Sequence, residues 1–520
     1  MLHFIRINNI SGGVIGEYSR YNEDVSTFSE ALAEARGIMD RGGFRESFTR
    51  MADIPVSRPD ELFSKIALMA DAGIALRDVS ILEYGLYLLE HHSEDILAVP
   101  SLAAFYWFNI ANLKANLLAV NESEGGRRCW YDRKQSASAR KAYGKALEHV
   151  GDDEALQVRI LTAHAGFLTG LGRDWEAFGL FHRAAKLNPD DDEALLGRTE
   201  ALIALAGTAP ALEKDLLREA ADHLDILMED DEGPGRDERS DYLISSLADR
   251  LADGERDEEV TYPKNSVITN NENEHSMVMY SLKNRLYLTP CSSCRRCDRA
   301  VGDAAALGAH HALVGGKNSG RYRKMAVLTG RLTERYRALR AALINHHRET
   351  DVPDGADYQP HFPEVEDWHA LPPSTAALIT TLAGSHVMLE GMAACVAVFL
   401  GREIKGPVRI DYILGTPGSP GSSLLNEQNP ALHGFWDLWA DGVEGRITGA
   451  DLPELFSRSL SSPEVEGLSL DAQALTEKTL GLLDWLKNLT GYLIRMADRD
   501  ARGEIENPPL WPLQPFVLPG

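Results

Sequence analysis

The stretch LGRDWEAFGLFHRAAKLNPDDDEAL, Leu171–Leu195, decides the fold class. It ends with the segment DDDEAL, Asp190–Leu195. A nearly identical segment, GDDEAL, occurs 39 residues earlier, at Gly151–Leu156. A step of this size is slightly longer than the usual period of a repeated pair of helices. From Pro59 onward apolar residues recur near a 3.6-residue period, which is the pattern of amphipathic helices. The sequence therefore predicts helical pairs that stack into a solenoid.

The same stretch resembles one tetratricopeptide repeat (TPR). That repeat places a small turn residue, small packing residues, a large core residue and a helix stop where this sequence has Gly172, Ala177, Phe181, Ala184 and Pro189. We expect Phe181 and Leu187 to lie in the core. A solenoid of this kind has a concave face. It implies a groove for a peptide or protein partner, and the alternative is a plain helical scaffold or a dimerisation surface.

Length and composition bound the class of protein. The chain has 520 residues, 44% of them hydrophobic, and a formal net charge of -25, so we expect two or three globular domains. Five cysteines do not make a disulfide framework in a chain of this length. No signal peptide and no apolar run of about 20 residues is evident, so we expect a cytoplasmic protein without a membrane partner. The acidic balance argues against DNA coating but allows a local basic groove.

Positive charge collects between Lys283 and Arg348. A basic region in an acidic protein either holds an anion or neutralises an acidic face of the protein itself. RNA is the partner that we predict for it, although an acidic segment around Glu229 to Glu238 is the competing partner. The candidate RNA-binding residues are Arg295, Arg296, Arg321, Arg323, Arg331 and Arg335.

Three cysteines recur at intervals of three residues: Cys291, Cys294 and Cys297. Thiolates at this spacing can hold one zinc ion, with a fourth ligand completing the tetrahedron. His310, or its neighbour His311, stands at a suitable distance downstream. Structural zinc is the first interpretation. Three reduced thiols, an iron–sulfur cluster and a redox switch are the alternatives, and Cys129 or Cys395 is another possible ligand.

A second resemblance covers most of the chain. The segments Glu274-His275, Asn284–Leu288 with Pro290, and Asn429–Gly442 resemble the subfamily of HEPN proteins that joins an N-terminal TPR region to a C-terminal HEPN domain. The resemblance implies a small helical bundle that usually dimerises, so a homodimer is expected. Many such proteins are metal-independent ribonucleases in toxin and antiviral defence systems.

Those ribonucleases use an Arg-x(4–6)-His motif, in which His moves a proton and Arg holds the phosphate. By order in the chain the motif should fall within Leu470–Asp500, but no His stands there. The same spacing occurs at Arg340 with His346 and His347. These three are the catalytic candidates. The alternative is a solvated basic face whose cations suit the C-terminal end of a helix.

The sequence predicts an all-α protein in five parts: an N-terminal segment (1–58), TPR-like repeats (59–213), an acidic linker or helix (214–262), a HEPN-like domain with the cysteine cluster (263–505) and a Pro-rich tail (506–520). The leading function is an RNA-directed protein of defence or toxin type, with a TPR sensor and a HEPN-like effector. The alternatives are a non-catalytic interaction or dimerisation scaffold with a structural zinc, and a zinc-dependent hydrolase for which no base is apparent.

Overall fold

The all-α class predicted from the sequence is confirmed. In the computed structural model every regular element of the described residues is a helix. The described residues are 24–56, 58–125, 133–229, 241–248, 272–293, 300–307, 319–350, 373–404, 413, 429–444 and 472–502. We call residues 24–229 the first half and residues 272–502 the second half.

In the first half each helix packs on its neighbours in the chain. The helices are α1 Asp24–Asp40, α2 Phe44–Ala52, α3 Pro59–Leu76, α4 Val79–His91, α5 Ser93–Leu97, α6 Ala103–Gly125, α7 Arg133–His149, α8 Glu154–Gly170, α9 Asp174–Leu187, α10 Asp192–Ala206 and α11 Glu213–Glu229. A short 3-10 turn, Pro100–Leu102, precedes α6. Helix α12 follows at 241–248.

The second half is built from long helices. These are α13 Glu272–Lys283, α14 Ser319–Thr350, α15 Pro373–Phe399, α16 Pro430–Glu444 and α17 Ala472–Arg502, with a 3-10 turn at Pro290–Ser293. Helices α14, α15 and α17 pack against one another, and α16 packs on α17. Of the acidic segment weighed as a partner for the basic region, residues 230–240 lie outside the described residues.

In each of the two repeated Asp-rich segments, one Asp side chain caps the helix that follows. The Asp153 carboxylate accepts a hydrogen bond from the Leu156 backbone N–H (2.9 Å), and the Asp191 carboxylate accepts one from the Ala194 N–H (2.8 Å). Each satisfies a backbone donor that the first turn of a helix leaves unpaired. The two caps are 38 residues apart rather than 39. The period of the structural repeat, measured between the capping residues, is therefore one residue shorter than the period of the sequence repeat.

Packing within this repeat follows the expected pattern at most positions. Phe181 is 3% exposed, and its ring lies against Gly197 of α10 so closely that a Cβ there would overlap it. Ala177 and Ala184 are fully buried. The expectation for Leu187 is wrong: it is the last residue of α9 and is 36% exposed. A residue at the end of a helix lies at the margin of the packed face, so the period alone does not bury it.

The two halves share one hydrophobic core, which runs from Trp175 to Ala497. The backbones meet where the α8–α9 turn contacts α16. A Cβ at Gly172 would overlap the Pro430 carbonyl, and one at Gly434 would overlap the Gly172 carbonyl. Gly172 also has a φ of 73°, which glycine adopts without strain. The Ala306 N–H donates to the Thr208 carbonyl (2.9 Å), a further link between the halves.

One helix of the described residues is long and apolar enough to cross a membrane by length and composition, Thr380–Phe399 within α15, with a mean hydropathy of 1.6. No such run was expected from the sequence. Met388, Met392 and Val396 of this segment are fully buried in the core shared with α14 and α17. Burial of this kind is typical of the central helix of a globular domain.

Candidate functional site

Helix α14 carries most of the predicted site. Its buried face follows a period near 3.6 residues, with Tyr322, Met325, Leu332, Tyr336, Leu339 and Leu343 in the core. The Tyr336 hydroxyl donates to the Leu286 carbonyl (2.8 Å), which fixes the segment after α13 on this helix. The basic residues of α14 consequently divide between the flanks of this face and the solvent side.

Besides Arg337, which pairs with Asp303, four Arg and Lys side chains described on α14 are exposed to solvent: Arg323, Lys324, Arg331 and Arg335. We call them the basic stripe. Lys324, Arg331 and Arg335 lie on one side of the helix over about 16 Å, because each residue adds about 1.5 Å and positions 7 and 11 apart nearly align. Arg335 also donates to the Val387 carbonyl of α15 (3.3 Å). Among the described side chains of α14, Glu334 is the one carboxylate.

Three further arginines of α14, Arg321, Arg337 and Arg340, are bound within the protein. Arg321 pairs with Asp500 of α17, whose carboxylate also accepts from the Tyr322 hydroxyl (2.6 Å). Arg337 and Arg340 both contact Asp303. Arg321, predicted to bind RNA, therefore has an internal partner.

The Arg340–Asp303 contact is two-pronged. The guanidinium donates to Oδ1 (2.5 Å) and Oδ2 (2.8 Å), and it lies 4.7 Å from the Tyr287 ring centroid. Burial by itself would raise the pKa of Asp303, but hydrogen bonds and charge from Arg340, a hydrogen bond from the Leu288 N–H and one from Arg337 hold it below the usual value. Burial opposes the charge of Arg340 too, yet the bonds to Asp303 raise its pKa. Arg340 therefore anchors the 286–303 segment to α14.

The two candidate histidines point to different neighbours. His346 is 3% exposed, with Nε2 at 3.3 Å from the Thr476 hydroxyl of α17. His347 is exposed and stacks on Tyr280 of α13, with 4.3 Å between ring centroids. Arg340, by contrast, is directed at Asp303. The described contacts do not bring the Arg and either His onto a common point.

The predicted zinc ligands are mostly outside the described residues. Cys294, Cys297 and His310 fall there, as do Arg295 and Arg296. Cys291 is 3% exposed and packs in the shared core as a free thiol. Cys395 is also buried, and burial raises the pKa of its thiol to about 12. Within the described part of the chain no three potential ligands stand together as a metal site.

Sequence reasoning missed a charged cluster that joins the halves. Arg173, at the start of α9, contacts Asp437 (2.9 Å) and Asp441 (2.6 Å) of α16, and Arg140 of α7 contacts the same two carboxylates. The Tyr492 hydroxyl of α17 donates to Glu176 (2.9 Å). Arg173 and Asp437 are separated by 264 positions, so no local pattern could have paired them.

A scan against protein-family models finds no match to this chain, and searches of the curated proteins and of the solved structures find none either. The HEPN and TPR resemblances consequently stay predictions drawn from the sequence.

Proposed function

We propose that this protein binds RNA through the basic stripe of α14. The observation that carries the proposal is the exposure of four cations, with one carboxylate beside them, on a helix of a chain whose net charge is -25. Arg323, Lys324 and Arg331 have no side-chain partner in the described part of the chain, so they are available to phosphates. Lys324 and Arg331 lie about 10 Å apart on one side of the helix, so both can contact the backbone of one strand.

A role in a defence or toxin system, with the first half as sensor and a peptide or protein in its groove, is the extension that the HEPN resemblance suggests. Cleavage is a separate question. A base must reach the RNA 2′-OH at hydrogen-bond distance. His347 is the exposed histidine of the three candidate residues, and Arg340 and His346 are engaged by Asp303 and Thr476.

The proposal is tested by the salt dependence of RNA binding. Three to four phosphate contacts to a single strand predict that log K falls with log salt at a slope of about −2 to −3. The Arg331→Glu/Arg335→Glu variant should bind a mixed-sequence single-stranded RNA at least tenfold more weakly at low salt, because two contacts become repulsive. Its thermal unfolding should stay close to that of the wild type, since exposed charges contribute little to stability.

The matched control is Arg41→Glu/Lys186→Glu, which makes the same change of net charge at exposed positions outside α14. It should bind RNA nearly as well as the wild type. Equal losses in the two variants would show that only the net charge matters. No retarded RNA at low salt, together with an altered oligomeric state of the α14 variant, would favour the second candidate.

That second candidate is a non-catalytic interaction scaffold, a homodimer with a structural zinc. It is favoured by the internal use of Arg321, Arg337 and Arg340, which makes α14 a structural element as much as a binding surface. Elemental analysis of untagged protein should then give about one zinc per chain, as the cysteine spacing predicts. Protein without zinc or iron would remove the metal from either candidate.

A further inference from the structure

A cavity of about 720 Å³ lies where the two halves meet. Helices α7, α8 and α9 of the first half form one wall. The other wall comes from Arg285, Asp441 of α16 and the Asp484–Asn488 turn of α17. The volume is within the range of about 300–1,000 Å³ that is usual for small-molecule sites. The basic stripe is not part of its lining.

The lining is rich in positive charge. The cationic side chains are Arg140, Lys141, Arg173, Arg183, Arg285 and Lys487, against three carboxylates, Glu176, Asp441 and Asp484. Asp437 contacts Arg140 and Arg173 from behind the lining and is a fourth carboxylate. A surplus of two positive charges remains in a protein whose net charge is -25. The cavity therefore favours an anion.

Some of these cations are already paired and two are available. Arg140 and Arg173 hold the carboxylates of α16, and the Lys487 ammonium donates to Asp484 (2.6 Å) and to the Arg285 carbonyl (2.8 Å). In the described part of the chain the Arg285 guanidinium and the Lys141 ammonium have no partner. These two groups stand on opposite walls, one in each half.

The neighbouring His164 reports the sign of the local charge. It is stacked on Tyr143 with 4.9 Å between ring centroids, and it lines the cavity. Burial, together with the smaller effect of the positive charges of Arg173, Arg140 and Arg183, lowers the pKa of His164 to about 3. The carboxylates of the lining do not cancel this positive field at the imidazole.

We propose that this cavity binds a phosphate-bearing small molecule of nucleotide size, held by Arg285 from the second half and Lys141 from the first. Guanidinium groups bind phosphate oxygens in pairs of hydrogen bonds, and an ammonium adds a point charge. A ligand in this position contacts both walls. It stabilises the docking of one half on the other, because it binds only the folded arrangement.

The test is thermal unfolding of the full-length protein at low salt with inorganic pyrophosphate, ATP or adenosine, each compared with sodium chloride of equal ionic strength. We expect pyrophosphate or ATP at about 100 times its Kd to raise Tm by about 2–5 °C, and adenosine to have no effect. With the two ligands at equal concentration, a larger shift with ATP than with pyrophosphate assigns the site to a nucleotide. The reverse order assigns it to an inorganic oligophosphate.

The variants are Arg285→Ala and Lys141→Ala, with Arg331→Ala of the basic stripe as the matched control. Titration calorimetry should show affinity for the phosphate ligand reduced about tenfold or more by each cavity variant, and unchanged by the control. Lys141 is exposed, so its variant remains informative if Arg285→Ala folds poorly. A Tm shift that is absent, or that persists in both cavity variants, would overturn the proposal.

RNA affinity, measured on the same variants, distinguishes the small-molecule site from the proposed RNA-binding surface. Arg285→Ala should leave RNA affinity unchanged, and Arg331→Ala should weaken it. RNA affinity lost in Arg285→Ala with no response to the small molecules would show that the cavity belongs to the RNA surface, which contradicts a separate small-molecule site.

Discussion

Asp71 of α3 is a carboxyl group in an unfavourable place. It is 4% exposed, and its Oδ1 has no hydrogen-bond partner among the described residues. Burial raises the pKa of Asp71 to about 7, although the charge of Arg36 opposes the rise. The group is therefore protonated in the folded protein at pH values where the unfolded chain has lost the proton.

The sign of the pH effect follows from that difference. Between the unfolded pKa near 4 and the folded pKa of about 7, the folded state binds more protons, so stability falls as pH rises. The maximum slope is about 1.4 kcal/mol per pH unit, and the loss is complete above pH 7. Asp71→Asn should remove this loss. The difference in Tm between Asp71→Asn and the wild type should therefore be more favourable to the variant at pH 8 than at pH 5.

Glu83→Gln is the control, because Glu83 is exposed on the neighbouring helix α4. Its effect on Tm should be small at both pH values. If Asp71→Asn changed Tm equally at pH 5 and pH 8, the carboxyl would already be ionised in the folded state and the explanation would fail.

At the level of single residues, the sequence predicted what depends on local periodicity and little else. Phe181 and Ala184 are buried because the helix period puts them on one face. Leu187 follows the same period, but α9 ends there and its side chain is 36% exposed. Asp71 gave no signal in the sequence, since its burial depends on tertiary packing and the charge that acts on it, Arg36, lies on another helix, α1.

At the scale of one helix, α14 shows which part of a pattern can be predicted. The buried face follows from the spacing of the apolar residues, because a period near 3.6 residues puts them on one side of the helix. The division of its arginines into solvent-facing and paired residues was not predictable, because the acids that decide it lie far away in sequence. Asp500 is 179 positions from Arg321, and Asp303 is 37 positions from Arg340.

Arg340→Ala should destabilise the protein by about 3 kcal/mol. The change leaves the Asp303 carboxylate, whose side chain is 4% exposed, without its two-pronged partner, and breaking a buried pair costs about 3–5 kcal/mol. The lower end applies because Arg337 still contacts Asp303. Denaturant unfolding measures the loss.

Arg331→Ala on the solvent side is the comparison, and it should change stability by less than about 0.5 kcal/mol. Asp303→Asn combined with Arg340→Ala should recover part of the loss, since no uncompensated charge then remains. Two single variants of equal stability would contradict the anchoring role. Loss of any RNA cleavage in Arg340→Ala would need this control before it could be assigned to chemistry.

At the scale of the whole molecule, the docking of the halves depends on backbone contact. Gly434→Ala should destabilise the protein strongly, because the added methyl group meets the Gly172 backbone, which cannot move aside as a side chain can. Thermal unfolding and limited proteolysis should both show the loss. Cleavage should appear first between the halves if docking is what fails.

Gly481→Ala in α17 is the matched control. It is the same substitution in a helix, but no described residue outside the helix itself comes within 4 Å of the added atom. Alanine is a better helix former than glycine, so this variant should be stabilised by up to about 1 kcal/mol. Destabilisation of similar size in the two variants would mean that the contact with Gly172 is not responsible.

The helical class and the stacking of neighbouring helices could be predicted, because both follow from patterns within one or two helices. The way the second half packs on the first could not. Gly172 was interpreted as a turn residue, which it is, yet its closest neighbour is Pro430. In the sequence Arg173 and Trp175 are only positions within the repeat. In the structure Arg173 contacts Asp437 of α16, and Trp175 packs against Gly491 of α17.

The shared core has a consequence for synthesis on the ribosome. Trp175, Phe178 and the apolar residues of α10 and α11 are made early, whereas α16 and α17, which complete their core, emerge last. At translation rates of about 5–20 residues per second, that apolar surface stays exposed for on the order of 15–50 s before α16 and α17 are available to bury it. A nascent chain of this length exposes a surface that molecular chaperones bind. The protein should thus depend on them during translation more than its final stability implies.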